Sequence, residues 1–321
     1  MQKQLTLWGS DMVFSCILCG GKESRSKSIS DAKTGEALDV AACQSCGLVQ
    51  LARVPTDEEL SAFYSTAYRV EYKNQAQPKP KHIFRAGKSA LERLQKMQPF
   101  FEAGQRHLDI GAGGGEFTYL ASRFGLDAHG IDPNSGYLEF GRTAYEVPLE
   151  TKEVSELPTE PKFDVITMFH VLEHLAHPLE VIEQIHALLS DDGVFVVEVP
   201  NLESKRSSPT NHYFKAHITY FTSLSLEVLL SGRFKIEFLD NSNVLYAVCR
   251  KIASSDASAI PEGNQNAVDL ANTRLKNKAL PEYFLNGGAF SIARKTQQTI
   301  EELRGSAGRD PKEILDALVP N

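Results

Sequence analysis

The chain of 321 residues has no run of 18 or more apolar residues, one tryptophan, four methionines and five cysteines. Without a long apolar run there is no sequence for a membrane-spanning helix. The N-terminal stretch from Met1 to Trp8 lacks the apolar core of a signal peptide, so the expectation is a cytoplasmic protein with no membrane partner. No Lys/Arg cluster with interleaved aromatics occurs, and 34 Lys/Arg against 41 Asp/Glu leave a net charge of −7. That charge repels phosphate backbones at long range and argues against nucleic acid as partner. The one glycine cluster is not followed by Gly-Lys-Ser/Thr, which excludes a P-loop. Few cysteines in a chain without an export signal point to metal ligands or core thiols rather than disulfides.

What is present is ordinary globular material: 42% hydrophobic and 23% charged residues. The length asks for about two folded units with attachments. Charge is uneven, with 14 Lys/Arg against 10 Asp/Glu in residues 1–100 and 20 against 31 in the rest. Any anionic partner would therefore meet the N-terminal part.

Four of the five cysteines form two pairs, Cys16-x2-Cys19-Gly20 and Cys43-x2-Cys46-Gly47, separated by 23 residues. Two residues between thiolates let both sulfurs of a tight turn face one ion, and the following glycine supplies positive φ. The pattern predicts a zinc ribbon over 11–55 with Zn2+ on Cys16, Cys19, Cys43 and Cys46. Four thiolates leave no open coordination position, so this site folds its segment and is not the reaction centre. Cys249, in the apolar run Val244 to Cys249, reads as a buried inert thiol.

Leu48 to Leu51 reads as the ribbon's last strand, and Thr56-Asp57-Glu58-Glu59 as a capping box opening a helix. Asn74 to Lys81, with Pro78 and Pro80, breaks regular structure, and a helix from about Ile83 to Met97 completes a helical linker over 56–100. From His107 onward, short apolar runs alternate with helical stretches: Leu108–Ile110, Ala128–Ile131, Val165–Phe169, Val194–Val199, Phe234–Leu239 and Val244–Cys249. Such alternation predicts an α/β, doubly wound sheet over 101–252. Only Asp240-Asn241-Ser242-Asn243 separates the last two runs, which makes them an antiparallel hairpin. A polar break, Ala253 to Ser258, leads to a helical tail over 253–321 carrying Leu275, Leu280, Tyr283, Phe284, Ile300 and Leu303. A packing or oligomer role is expected of it.

Leu108-Asp109-Ile110-Gly111-Ala112-Gly113-Gly114-Gly115-Glu116-Phe117 places glycines directly between a strand and a helix, where backbone must approach a ligand closely. Asp132 ends the next strand 21 residues after Gly111, in position for a ribose diol. A dinucleotide fingerprint needs glycine where Glu116 stands. With Asp109 just before the loop, two carboxylates would oppose a pyrophosphate but suit the ammonium and sulfonium of S-adenosylmethionine. The cofactor expectation is S-adenosylmethionine on Asp109, Gly111, Gly113, Gly115 and Asp132, with Phe169 and His170 at the carboxyl end of a neighbouring strand facing the same crevice.

The loop from Asp109 to Phe117, Gly130-Ile131-Asp132, the segment from Phe163 to His174, and Gly193-Val194-Phe195 with Pro200-Asn201 together resemble the class I S-adenosylmethionine-dependent methyltransferases. The resemblance covers roughly 100–250 and implies a seven-stranded Rossmann-like sheet whose last strand is antiparallel. The two-knuckle ribbon, Gly47-Leu48-Val49 and Phe63-Tyr64 with Tyr68 narrow it toward methyltransferases of deoxysugars and secondary-metabolite precursors. The acceptor so implied is a small molecule containing a sugar, such as a nucleotide-sugar, methylated on a hydroxyl, amine or carbon. Carbon-directed members carry Glu-His before an aromatic pair; in Lys215-Ala216-His217-Ile218-Thr219-Tyr220-Phe221 the His matches and the Glu does not.

His170-Val171-Leu172-Glu173-His174 also spells a zinc-peptidase motif, but His170 closes a strand and Pro178 follows soon after, so no long helix can hold both histidines. Glu173 and His174 either position a substrate hydroxyl or cap the local turn. His217, after the fifth strand of the sheet, is the expected general base, with His212 as nearby substitute and Glu173 and His174 as catalytic candidates. Two other readings stay open: an RNA methyltransferase with the ribbon as reader, and a non-catalytic zinc-stabilised interaction protein.

Overall fold

A computed structural model describes residues 14–62, 78–160, 162–205, 211–253, 265–276 and 291–319. Phe63, Tyr64 and Tyr68, residues 74–77 of the proline-containing stretch, residues 254–258 of the polar break, and Leu280, Tyr283 and Phe284 lie outside them.

The strands are β1 (Ser24–Ser30), β2 (Ala37–Cys43), β3 (Val49–Leu51), β4 (Arg106–Ile110), β5 (Asp127–Ile131), β6 (Leu149–Glu150), β7 (Phe163–Phe169), β8 (Leu189–Pro200), β9 (Thr219–Tyr220), β10 (Phe234–Asp240) and β11 (Val244–Lys251). Seven of them form one sheet in the order β10-β11-β8-β7-β4-β5-β6. Its β8-β7-β4-β5-β6 part is parallel, and β11 runs antiparallel to both β8 and β10. This is the expected doubly wound sheet with an antiparallel last strand. Its central strands are covered on both faces, which is why β7 and β8 read as nearly unbroken apolar runs. The short β6 escaped the sequence reading because two residues carry no period.

The helices are α1 (Asp57–Ala62), α2 (Pro80–Met97), α3 (Glu116–Arg123), α4 (Ser135–Tyr145), α5 (Pro178–Leu188), α6 (Ser223–Leu230), α7 (Gln265–Leu275), α8 (Ser291–Ser306) and α9 (Pro311–Asp316). Thr56 and Glu59 form the capping box, each side chain accepting the other's backbone N–H at 3.3 and 2.9 Å. Pro80 does not break structure but begins α2, because the first helical residue needs no N–H partner. Along α2, Ile83, Gly87, Ala90, Leu94 and Met97 are buried, a 3.5-residue repeat that lays one face on the domain.

The second sheet goes beyond the sequence reading. β1, β2 and β3 pair antiparallel, with β3 the last strand of the ribbon as expected, and β9, from the chain after β8, adds to it through Val49–Tyr220 and Gln50–Thr219 pairs. The ribbon thereby shares a sheet with the larger domain. It shares a core as well, since Cys16, Leu18, Cys43, Cys46 and Leu48 pack in one cluster with Leu172, Phe221 and Leu226. The tail packs on both parts. Gln44 and Asn272 exchange side-chain hydrogen bonds between ribbon and α7. Arg85 of α2 holds Glu302 of α8 in a two-pronged ion pair, at 2.6 and 2.7 Å. Ile314 and Leu315 of α9 are fully buried. No helix among the described residues is long and apolar enough to cross a membrane.

Candidate active site and metal centre

The two knuckles fold alike. Gly20 and Gly47, both at positive φ (71° and 74°), return their N–H groups to the carbonyls of Cys16 and Cys43 at 2.9 and 3.1 Å. The four sulfurs lie within 4.8 Å of one another, with Cys16–Cys46 at 3.6 Å and Cys19–Cys43 at 3.5 Å. A Cβ at Gly21 would sit 3.2 Å from two of the sulfurs, so the chain packs tightly against them there. Four thiolates so close repel one another unless a cation joins them. The donor set fits zinc. Cys249 is buried in β11, and burial pushes its thiol up, as befits an inert residue.

The glycine loop leaves β4 with Gly111, Gly113 and Gly115 at φ of 79°, 54° and 81°. At Gly111 a Cβ would fall 2.2 Å from Val171, whereas at Gly113 one would meet no described atom within 4 Å. Gly113 therefore borders open space, as a loop must if it is to lie against a ligand. Asp132, just past β5, accepts the N–H of Gly113 at 3.1 Å on one oxygen and that of Asn134 at 2.7 Å on the other. Each carboxylate oxygen keeps a further lone pair for a diol. These residues fit the ribose and methionine parts of S-adenosylmethionine.

Asp109 is placed differently from the sequence expectation. It is 3% exposed and accepts the Thr118 and Thr167 hydroxyls at 2.9 and 2.8 Å, so it braces the loop from inside. Burial pushes its carboxyl up to about 6. Phe169 likewise turns inward, edge-on to Phe117 at 4.7 Å with the Arg93 guanidinium 4.5 Å over its ring.

His170 is one of two non-glycine residues among those described with positive φ, at 55°, and its ring is 41% exposed in the crevice at the end of β7. Its Nε2 lies 3.0 Å from Glu198 and its Nδ1 3.3 Å from Glu173. Burial alone would lower its pKa, but the two carboxylates outweigh that and hold it at about 9. Arg93 pairs with Glu198 at 2.5 Å; His170 and Arg93 more than offset the effect of burial and hold Glu198 at about 2. The sequence reading missed this network. Glu198, a carboxylate inside the buried run Val194–Val199, carried a visible signal, while Arg93, one of several charges on α2, carried none.

Glu173, His174 and His217 come together: each offers one ligand-type atom within 4.8 Å of the others. Leu172–His174 forms a short turn after β7, and the Glu173 carbonyl accepts the N–H of Ile218 at 2.7 Å, which brings the 217 segment alongside. His174 Nδ1 donates to the Ala216 carbonyl at 2.8 Å, and its ring meets that of His217 edge-on at 4.9 Å. Burial lowers His217 to about 4, so it is neutral at pH 7. Together with His170, Phe214 and Tyr220 it lines a cavity of about 160 Å3, which His212 also borders. Of the residues expected in catalysis or cofactor binding, the glycine loop, Asp132, His170, Glu173, His174 and His217 thus all sit at or beside the carboxyl edge of the parallel strands.

A family profile described as a methyltransferase domain matches residues 81–233, from α2 to just before β10. The matched residues include the glycine loop after β4 and the acidic residue after β5. Among curated relatives, the ubiquinone biosynthesis O-methyltransferase of Actinobacillus pleuropneumoniae is 32% identical over 109 residues, 30% of this chain and 47% of the relative. The enzyme of the same name from Psychrobacter arcticus is 30% identical over 120 residues, 35% of this chain and 47% of the relative. The chain spans about half the length of these relatives. Among solved structures, the 1,6-didemethyltoxoflavin-N1-methyltransferase of Burkholderia thailandensis, with S-adenosylhomocysteine bound, overlaps 67% of this chain and 96% of its own at 20% identity and a TM-score of 0.46.

Proposed function

We propose that the protein transfers the methyl group of S-adenosylmethionine to a hydroxyl of a small, polar, sugar-containing acceptor such as a nucleotide-sugar, and that zinc on Cys16, Cys19, Cys43 and Cys46 stabilises its ribbon. The observation that carries this reading is the convergence of glycine loop, Asp132 and the Glu173–His174–His217 cluster on one sheet edge inside the matched domain. S-adenosylmethionine supplies a methyl carbon already activated by positive sulfur. The chain's own task is alignment, exclusion of water and removal of one proton.

Asp132 would hold the ribose and the Gly111–Gly115 backbone the methionine part. The acceptor would lie in the cavity between His170 and Tyr220, where His217 receives the hydroxyl proton as the new C–O bond forms and the S–CH3 bond breaks. Oxygen is the acceptor atom we favour, since the matched relatives are named O-methyltransferases and the Glu that marks carbon-directed members is replaced by Ala216.

Calorimetric titration with S-adenosylhomocysteine, followed by nucleotide-sugars and RNA in its presence, tests the reading. Wild type should bind the homocysteine product, and Asp132→Ala should weaken that binding by roughly ten- to a hundredfold, the loss of a charge-assisted hydrogen bond. Equal binding by the variant, or displacement by NADH, would sink the cofactor assignment. Binding of RNA but no sugar would move the function to the RNA reading.

A further inference from the structure

We infer that Glu173, His174 and His217 hold a second divalent metal ion, separate from the four-cysteine centre, beside the cavity proposed for the acceptor. The inference rests on that acceptor reading for its role, but not for its geometry. One carboxylate oxygen and one nitrogen from each of two imidazoles lie within 4.8 Å of one another. Glu173 is 1% exposed, and its Oε2 has no hydrogen-bond partner among the described residues. His217 Nδ1 is likewise buried and unpartnered. A buried carboxylate oxygen without a donor is costly, and a cation beside it would supply the missing partner.

The surroundings orient the donors as ligand shells do. His174 spends Nδ1–H on the Ala216 carbonyl at 2.8 Å, which fixes the tautomer and leaves the Nε2 lone pair toward Glu173, 3.9 Å from Oε1. That other oxygen, Oε1, is held by His170 Nδ1 at 3.3 Å. Two imidazoles and one carboxylate suit a first-row divalent ion such as zinc, manganese or cobalt, and three protein ligands leave coordination positions open. The cluster meets the cavity through His217, so an acceptor oxygen entering there can become a further ligand. With the ion bound, its charge would lower the pKa of the acceptor hydroxyl and the proton would leave to water; without it, His217 takes that proton itself.

The site differs from the peptidase reading of the same stretch. His170, which that motif requires as ligand, is engaged by Glu198 and Glu173, and its place is taken by His217 from a segment 43 residues further along.

The test is titration of the zinc-loaded full chain with Mn2+, following free manganese by electron paramagnetic resonance. Manganese is an oxygen- and nitrogen-seeking probe that leaves thiolate zinc in place. About one Mn2+ per chain should bind to wild type, and Glu173→Gln, His174→Gln and His217→Asn should each weaken it at least tenfold with zinc content unchanged. S-adenosylhomocysteine titration on the same samples shows whether each variant is folded and reports the cofactor reading independently. Three variants guard against one failing to fold. No bound Mn2+ at millimolar concentration, or binding unchanged in the folded variants, would overturn the site while leaving methyl transfer standing. A failed cofactor titration with Mn2+ still bound would do the reverse.

Discussion

Asp31, in the turn after β1 of the ribbon, accepts the backbone N–H of Lys215 at 2.5 Å, two residues before His217. The Lys33 and Thr34 N–H groups and the Thr34 hydroxyl fill its other oxygen. The N-terminal ribbon therefore shapes the segment that lines the proposed acceptor cavity. Ala32 reinforces this by donating to the Tyr213 carbonyl at 2.8 Å, and Leu51 by donating to that of Ile218 at 2.9 Å.

Asp31→Ala removes several charge-assisted hydrogen bonds and should cost on the order of 1.5–3 kcal/mol of stability. Its functional effect should fall on the acceptor. KM for the acceptor should rise at least several-fold while S-adenosylhomocysteine affinity stays within about twofold, because the glycine loop and Asp132 follow strands of the seven-stranded sheet, not of the ribbon's sheet. Equal damage to both affinities would mean a merely destabilised fold.

Protein purified without chelator should carry one zinc per chain on the four cysteines, measured by elemental analysis after any loosely held metal has been dialysed away. Cys43→Ser should lower that ratio toward zero. Since Cys16, Cys43 and Cys46 pack in one cluster with Leu172 and Phe221, loss of zinc should also lower the melting temperature of the whole protein. A zinc ratio that Cys43→Ser leaves unchanged would refute the site.

His217→Ala should lower turnover by roughly 10²–10⁴-fold, with cofactor affinity nearly intact because the residue lines the acceptor cavity and not the glycine loop. Turnover within about tenfold of wild type would transfer the role to His174 or to alignment alone.

Asp109 gives a pH signature of the cofactor-free protein. Its folded pKa, about 6, lies above the unfolded value near 3.8, because burial favours the neutral acid. The folded state thus holds this proton more tightly. Stability from Asp109 is fully present below about pH 4 and is lost as pH rises through 6, by on the order of 3 kcal/mol. Asp109→Asn keeps the site neutral, so the melting temperature of the variant relative to wild type should rise between pH 4 and 6 and level off above. A difference that does not vary with pH would show that Asp109 is ionised at no cost.

Local chemistry was legible in the amino-acid order by itself. Cys-x2-Cys-Gly needs only two tight turns, and the knuckles at Gly20 and Gly47 follow from it. The strand–glycine–helix sequence around Gly111 and the alternation of apolar runs with helical stretches determined the parallel sheet, and the four polar residues from Asp240 to Asn243 determined the hairpin. These are nearest-neighbour properties, set by backbone sterics and by which face a side chain can bury.

What only the tertiary structure decided is pairing between distant segments. β9 is two residues long and joins the ribbon because its hydrogen-bonding edge lies against β3, a fact no periodicity carries. Asp109 has the composition of a cofactor ligand, yet Thr118 and Thr167, 9 and 58 residues away, turn it inward. Glu173 and His217 meet across 44 residues because Ile218 donates to the Glu173 carbonyl. In each case the deciding interaction joins polar groups far apart in the chain, and their burial, which makes an unmet partner costly, exists only once the fold has closed around them.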